Sequence, residues 1–229
     1  MPIVKKYKSE VINIENPIEG LFVVTFKSLD SPFKYLPGQF LHLALDEYNP
    51  SEPWPESRCF SMQTCDDNEY LKITYSVKGK FTTRMSNELK VGKIIYLKLP
   101  YGDLFIKPHS KNNTVFIAGG TGITPFLSLF NSHYFIEYKN PYLYLGVRNK
   151  NFNIYQNEID NAKLINPSFD YKIYFENTDG ILNINKIFNN HGNNSTYFIS
   201  GPPIMIKTFK NFLLENNTPL DNIRTDDWE

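Results

Sequence analysis

The spacing of hydrophobic positions changes near the middle of this 229-residue chain. As far as residue 106, apolar and polar residues alternate over short segments that end at turn residues, which predicts β-strands. The predicted strands are 10–14, 21–26, 40–45, 58–64, 71–77 and 94–99, with one brief helix at 82–89. Short strands with a single helix predict an antiparallel β-barrel of the Greek-key type.

Beyond a polar stretch at 108–113, strand patterns alternate with helical patterns. Strands are predicted at 115–118, 142–147, 171–175, 196–200 and 223–225, and helices at 125–138, 155–162, 184–190 and 204–216. This alternation is typical of an α/β domain with a doubly wound parallel sheet. The chain length suits two domains, so we predict a barrel domain at 1–108 and an α/β domain at 112–229.

Glycines interrupt the apolar pattern after the first strand of the second half. Gly119, Gly120 and Gly122 follow that strand directly and precede a helical pattern. Glycine adopts backbone angles closed to other residues, and a helix N-terminus presents unpaired N–H groups to an anion. The turn therefore suits a nucleotide pyrophosphate, and Gly201 is expected at the same sheet edge. The spacing is not G-x-G-x-x-G, so an ordinary strand-to-helix turn is an equal alternative.

Charge and composition narrow the classes of partner. Lys plus Arg equals Asp plus Glu at 24 each, which gives no reason to expect nucleic acid or an anionic membrane. No apolar run is long enough to span a bilayer, and the first residues lack a secretion signal, so a cytoplasmic location is expected. Cys59 and Cys65 are expected to be free thiols, and two cysteines are too few for a usual iron–sulfur cluster. The four histidines lack metal-ligand spacing, so no metal site is predicted.

A second glycine-bearing turn precedes the helix of the first half. Gly79 is followed closely by the hydroxyls of Thr82 and Thr83. A threonine in this position is most often a plain helix cap. The alternative is a second anion site, at which N–H groups, a threonine hydroxyl and Arg58 converge on a phosphate.

Taken together, six motifs resemble those of the ferredoxin–NADP reductase superfamily, in the same order and across nearly the whole chain. They are Pro-Gly-Gln-Phe at 37–40, Arg-x-Phe-Ser at 58–61, Gly-Lys-Phe-Thr at 79–82, Pro-Tyr-Gly at 100–102, Gly-Gly-Thr-Gly at 119–122 and Gly-Pro-Pro at 201–203. The resemblance implies a flavin-binding barrel joined to a pyridine-nucleotide domain. It also implies hydride transfer from nicotinamide C4 of NAD(P)H to flavin N5 of bound FAD.

The resemblance assigns roles by position. Arg58 would bind flavin phosphate, Phe60 would flank the isoalloxazine ring, and Ser61 would hydrogen-bond near N5. The implied flavin-site residues are Arg58, Cys59, Phe60, Ser61, Thr74, Tyr75, Ser76, Val77, Gly79, Lys80, Phe81, Thr82, Thr83 and Trp228. The implied nucleotide-site residues are Gly120, Thr121, Gly122, Thr124, Arg148, Gly201 and Pro202, and the implied catalytic residues are Ser61, Ser200 and Trp228.

Four positions carry open alternatives. Relatives often have Tyr at the position of Phe60, so one hydroxyl contact to the flavin is in doubt. Many relatives have Cys at the position of Ser200, so the part of Ser200 in hydride transfer is also in doubt. Trp228 would reach the flavin ring, or it is a loose terminal residue. Arg148, together with Lys150, would pair with a 2′-phosphate and select NADPH, or it is a solvated charge in an NADH user.

The resemblance therefore implies a reductase that passes electrons from bound FAD to a small carrier protein such as a ferredoxin, a flavodoxin or an oxygenase component. Two alternatives remain from the sequence. The first is an NAD(P)H:flavin oxidoreductase that uses flavin as a diffusible substrate. The second is a redox-silent nucleotide-binding subunit. The phosphate-sized turn at 79–83 favours retained FAD.

Overall fold

A computed structural model describes residues 3–64 and 69–226. The chain divides into two compact units, Met1–Asp103 and Leu104–Glu229. In the described residues no helix combines the length and the apolar character that crossing a membrane requires. The domain limits at 108 and 112, which rest on the change of periodicity, stay predictions.

The first unit is an antiparallel sheet with one helix. Its sheet has the order β4-β3-β6-β1-β2-β5. The elements are β1 (Lys5–Ile18), β2 (Leu21–Ser28), β3 (Phe40–Ala44), β4 (Ser57–Ser61), β5 (Tyr70–Ser76), α1 (Lys80–Glu88) and β6 (Ile94–Tyr101). The predicted antiparallel strands are confirmed. The backbone N–H of Gln63, just beyond β4, donates to the carbonyl of Lys72 in β5 at 3.0 Å, so the two ends of the order meet there. Full closure into a barrel stays a prediction.

The core of this unit explains why α1 begins where it does. Alternate residues of the strands point inward, and among them Val24, Phe26 and Leu41 are fully buried. Helix α1 adds Phe81 and Met85, four residues apart on one face, to the same core. Packing of Phe81 therefore fixes the first turn of α1 against the sheet.

The second unit is a parallel sheet covered by helices on both faces. Its order is β11-β10-β7-β8-β9. The strands are β7 (Thr114–Gly119), β8 (Tyr142–Val147), β9 (Asp170–Phe175), β10 (Thr196–Ser200) and β11 (Ile223–Thr225), and the helices are α2 (Thr124–Phe130), α3 (Gln156–Ile165), α4 (Glu176–Asp179), α5 (Ile184–His191) and α6 (Pro203–Glu215). Alternate strand residues point to opposite faces of the sheet. On one face they pack against α2 and α3, and on the other they pack against α5 and α6. The predicted parallel α/β sheet is confirmed.

The predicted single helix at 125–138 is wrong. Helix α2 ends at Phe130, and a separate 3₁₀ turn covers His133–Glu137. The Ser132 hydroxyl caps this turn by accepting a hydrogen bond from the Tyr134 N–H at 3.1 Å. The break brings the rings of Phe130 and Phe135 within 4.9 Å of each other in one core, which explains why an apolar run here is not one helix.

A histidine fastens the start of the second unit to its sheet. His109 Nδ1 donates to the Lys107 carbonyl at 2.8 Å, because a carbonyl can only accept. His109 Nε2 therefore accepts from the Tyr138 hydroxyl at 2.7 Å, and the ring packs edge-on against Phe198. Burial lowers the pKa of His109, and the nearby charges of Arg224 and Lys111 lower it further, so this arrangement requires a neutral ring.

Stability is expected to fall as the pH drops below about 6.5, the ordinary pKa of histidine. The unfolded chain takes up a proton there that folded His109 resists, so acid favours unfolding. In urea unfolding, a His109→Gln variant should have a lower free energy of unfolding than wild type at every pH. That free energy should change less with pH between about 7.5 and about 5. Tyr138→Phe serves as the control, because it removes the same hydrogen bond but keeps the titratable His109, so it should lower stability and keep the wild-type pH slope. An unchanged slope in His109→Gln would contradict the role given to His109.

Candidate functional site

Strand β4 places Arg58 beside the first turn of α1. The guanidinium carbon of Arg58 lies 5.1 Å from the centroid of the Phe81 ring. Arg58 Nη1 also donates to the Ser57 carbonyl at 2.8 Å, and the side chain stays 53% exposed. The structure thus brings together the two motifs that the sequence predicts as one anion site.

The first turn of α1 has the features of an anion-binding helix terminus. Gly79 is the N-cap, so the N–H groups of Lys80, Phe81 and Thr82 have no acceptor within the helix. Together with the helix dipole they favour a negative charge. A side chain at Gly79 would meet no atom within 4 Å, so the space in front of the turn is open.

Thr82 has a capping role in this turn. Its hydroxyl oxygen accepts from the N–H groups of Lys78 and Gly79, at 2.9 and 3.1 Å. The N–H of Thr83 donates to the Gly79 carbonyl at 2.9 Å, as the first bond of the helix. Helix capping therefore explains both threonines locally, and their binding of a phosphate stays a prediction.

Aromatic rings lie next to Arg58 along the sheet. The half-buried Phe60 packs edge-on against Tyr75 at 6.2 Å, and Tyr75 stacks on Phe22 at 5.2 Å with 14° between the planes. Burial raises the pKa of Tyr75 to about 12, so its phenol is neutral near pH 7. Phe60 thus offers part of a fixed ring face to a flat apolar ligand.

The alternation of β4 separates its four predicted flavin residues. Arg58 and Phe60 share one face, and Cys59 and Ser61 share the other. Cys59 Sγ lies 3.6 Å from Nε2 of His42, its neighbour on β3, and burial raises the pKa of the thiol. Ser61 is 7% exposed.

The strand that follows contributes the remaining predicted residues of the first unit. Thr74 is buried, and its hydroxyl accepts from the Gln63 side-chain amide at 2.7 Å. Ser76 ends β5, and the Val77 N–H donates to the Gly20 carbonyl at 2.8 Å. Thr74 and Val77 therefore have structural bonds of their own, and flavin contacts of Thr74, Ser76 and Val77 stay predictions.

In the second unit, the turns after β7 and β10 pack backbone against backbone. A Cβ atom at Gly122 would lie 2.5 Å from the carbonyl oxygen of Ser200 and 2.6 Å from Gly201. Gly201 has φ of +149°, and a Cβ there would lie 3.0 Å from the backbone nitrogen of Gly119. A Cβ atom at Gly119 would lie 2.8 Å from Cδ of the Pro202 ring. The glycines therefore permit two turns to touch at one sheet edge, as the sequence predicts.

Gly120 differs from its neighbours because it faces open space. Its φ is +56°, and a Cβ would meet nothing within 4 Å. Residues Gly120–Ile123 form a 3₁₀ turn, so α2 begins only at Thr124, which is 7% exposed. A ligand can approach the backbone at Gly120 and Thr121, whereas the side chain of Thr124 is packed inside.

Ser200 has a partner that the sequence reasoning missed. Its hydroxyl donates to Asp226 Oδ2 at 3.1 Å, and it is 2% exposed. The Asp226 N–H donates to the Ile199 carbonyl at 3.0 Å, which continues the pairing of β11 with β10. The signal was present as an acidic residue directly after the last predicted strand. Trp228 lies outside the described residues.

Arg148 follows β8 and stays exposed. Its guanidinium lies 5.5 Å from the centroid of the Phe152 ring, and Lys150 begins a 3₁₀ turn, Lys150–Phe152. The Phe152 ring restricts the position of the Arg148 guanidinium but leaves its positive charge in place. Across residues 3–64 and 69–226, no three His, Cys, Asp or Glu side chains are placed to hold a metal ion.

Comparison with known proteins identifies relatives for this chain. Residues 116–211 match the family model of the oxidoreductase NAD-binding domain. The chain is 28% identical over 149 residues to methane monooxygenase component C of Methylosinus trichosporium, across 64% of this chain and 42% of that protein. It is also 28% identical over 186 residues to a flavohemoprotein of Candida albicans, across 75% of this chain and 46% of that protein. The chain thus spans less than half the length of these two relatives.

A solved structure supports the fold over nearly the full length. A ferredoxin NADP⁺ reductase from Neisseria gonorrhoeae with bound FAD and NADP superposes with a TM-score of 0.78 at 17% identity. The match covers 97% of this chain and 98% of the other. At this level of identity the likeness establishes the fold of both units.

The glycine turns give a stability prediction. Gly122→Ala should lower the free energy of unfolding by about 1–3 kcal/mol, because its Cβ would overlap backbone atoms that cannot rotate away. Gly120→Asn should cost under about 1 kcal/mol, because its site is open and asparagine accepts positive φ. Asn113, Asn140 and Asn217 already do so here, with φ of 51–60°. Urea unfolding of both variants tests this difference, and equal losses would contradict it.

Proposed function

We propose that this chain is a member of the ferredoxin–NADP reductase superfamily and an FAD-dependent NAD(P)H reductase, which its match to the oxidoreductase NAD-binding domain, its similarity to a flavohemoprotein and its fold support. It takes hydride from NADPH or NADH and passes electrons to a separate carrier protein in the cytoplasm. The observation that carries the proposal is the placement of Arg58 beside the open first turn of α1. That turn suits the diphosphate of a retained FAD, which a diffusible flavin substrate does not need.

The residues of the first unit fit a flavin. Arg58 and the N–H groups of Lys80 and Phe81 would bind its phosphates, since a guanidinium and a helix N-terminus both favour anions. Phe60 would flank the isoalloxazine ring with its half-buried face. The Ser61 hydroxyl would donate near N5, and its low exposure would strengthen that bond.

The residues of the second unit fit a nicotinamide nucleotide. The open backbone at Gly120 and Thr121 would hold its diphosphate, while Gly122 and Gly201 keep the turn compact. The single proton of the Ser200 hydroxyl is donated to Asp226, so Ser200 can only accept from another group. Because Ser200 is also only 2% exposed, we expect it to act sterically beside the nicotinamide and not through a hydrogen bond of its own.

The proposed hydride transfer needs no strong acid or base among the side chains of the two sites. When bound, FAD would accept a hydride from NAD(P)H and release electrons singly to an acceptor. The chain would supply orientation, exclusion of water and a hydrogen-bond donor for negative charge on the flavin.

A separate acceptor is part of the proposal. The relatives include proteins named as the reductase components of phenol 2-monooxygenase and propane 2-monooxygenase. We therefore propose that the electrons leave for a ferredoxin, a flavodoxin or an oxygenase component.

The visible spectrum of the purified protein tests the proposal. A yellow flavin should remain after desalting and should bleach when NADPH or NADH is added without oxygen. Colourless protein that reduces added FMN would instead show that flavin is a diffusible substrate. Protein without bleaching or turnover would be a redox-silent nucleotide-binding subunit.

Arg148 is expected to set the choice of nucleotide. Its exposed guanidinium, positioned by Phe152, is suited to pair with a 2′-phosphate. Arg148→Gln should raise the KM for NADPH about tenfold and leave the KM for NADH within about twofold, which corresponds to loss of one charge-assisted hydrogen bond. The exposed Lys90 of the first unit supplies the control variant, and Lys90→Gln should leave both KM values unchanged. Equal changes for both nucleotides would contradict this role.

A further inference from the structure

The guanidinium of Arg58 is held by a carboxylate of the same chain. Glu56 Oε1 lies 2.9 Å from Arg58 Nη2 and accepts its hydrogen bond. Both side chains are slightly more than half exposed. A carboxylate and a phosphate bind a guanidinium in the same way, through parallel N–H···O bonds. Glu56 therefore occupies donor capacity of Arg58 that an incoming phosphate would use.

A second arginine lies on the other side of Glu56. Arg84 Nη1 is 4.0 Å from Glu56 Oε2, so the carboxylate lies between two cations. Arg84 is fixed independently, since it donates two bonds to Asp46 at 2.8 and 3.2 Å and one to Glu88 at 2.9 Å. These carboxylates hold Arg84 in place whether or not Arg58 has a ligand.

We propose that Glu56 competes with the flavin phosphate for Arg58, and that Arg84 limits this competition by holding part of the Glu56 charge. The inference rests on the proposed flavin site and adds a determinant of its affinity. Glu56 and Arg84 are positioning residues, because each acts through Arg58. Nothing in the proposal requires either residue to touch the flavin.

The three charges predict opposite signs for two substitutions. Glu56→Gln removes the competing charge, so it should tighten binding of phosphate-bearing flavins. Arg84→Gln removes the second cation near Glu56, so Glu56 should pair more strongly with Arg58 and the binding of phosphate-bearing flavins should weaken. In the double variant the second change should have little further effect, because Arg84 acts through a charge that is no longer present.

The experiment measures flavin dissociation constants by fluorescence titration of protein from which flavin has been removed. FAD, FMN and riboflavin are the three probes, since riboflavin has no phosphate. Glu56→Gln should lower the dissociation constants of FAD and FMN about twofold to fivefold, and Arg84→Gln should raise them by a similar factor. Riboflavin should change by less than about twofold, because it brings no charge near Arg58. The shifts should shrink between about 0.05 M and about 0.5 M salt.

Glu69→Gln is the matched control, because it removes an exposed carboxylate from an ion pair with Lys27 that includes none of Glu56, Arg58 and Arg84. It should leave all three constants unchanged. Weaker FAD binding by Glu56→Gln, or equal shifts for riboflavin and FAD, would overturn the inference while the flavin site stands. The melting temperature of each variant verifies that it is folded. If Glu56→Gln has a lowered melting temperature, Arg84→Gln tests the same competition. Wild-type protein that binds none of the three flavins would overturn the proposed function and this inference with it.

Discussion

The close approach of the turns after β7 and β10 is the constraint on which the second unit depends. Gly122 lies directly against the Ser200 carbonyl, at a separation that leaves no room for a Cβ atom. Next to this contact, the backbone at Gly120 faces open space. Ser200 and Asp226 are paired at the same sheet edge. One steric condition therefore shapes both the sheet edge and the proposed nucleotide site.

Periodicity was sufficient to predict most of this fold. Strands of the first half alternate, whereas the inner strands β7, β8 and β10 of the second are mostly apolar, because the parallel sheet is covered on both faces. The glycine turns were predictable since few residues satisfy such backbone geometry. The break within the helix predicted at 125–138 was not predictable, because Phe130 and Phe135 also fit the pattern of one continuous helix. Only the tertiary position of both rings in one core requires the break at Ser132.

The candidate site was predictable as motifs but not as a charge arrangement. Arg58 and Gly79 were found because a short segment carries each of them. Glu56 and Arg84 are 28 residues apart in sequence, and only the fold brings them to within 4.0 Å. The bond between Ser200 and Asp226 likewise depends on the pairing of β10 with β11. Pairings between distant segments are what periodicity and motif spacing leave open.

The short last strand has a consequence for how molecules of this protein meet one another. Strand β11 has only three residues and covers one edge of the parallel sheet. At the opposite edge, β9 carries the exposed charges of Asp170 and Lys172. Short edge strands and edge charges both hinder a second chain from adding to a sheet. The same architecture that presents a nucleotide site at the strand ends thus protects the sheet sides from aggregation.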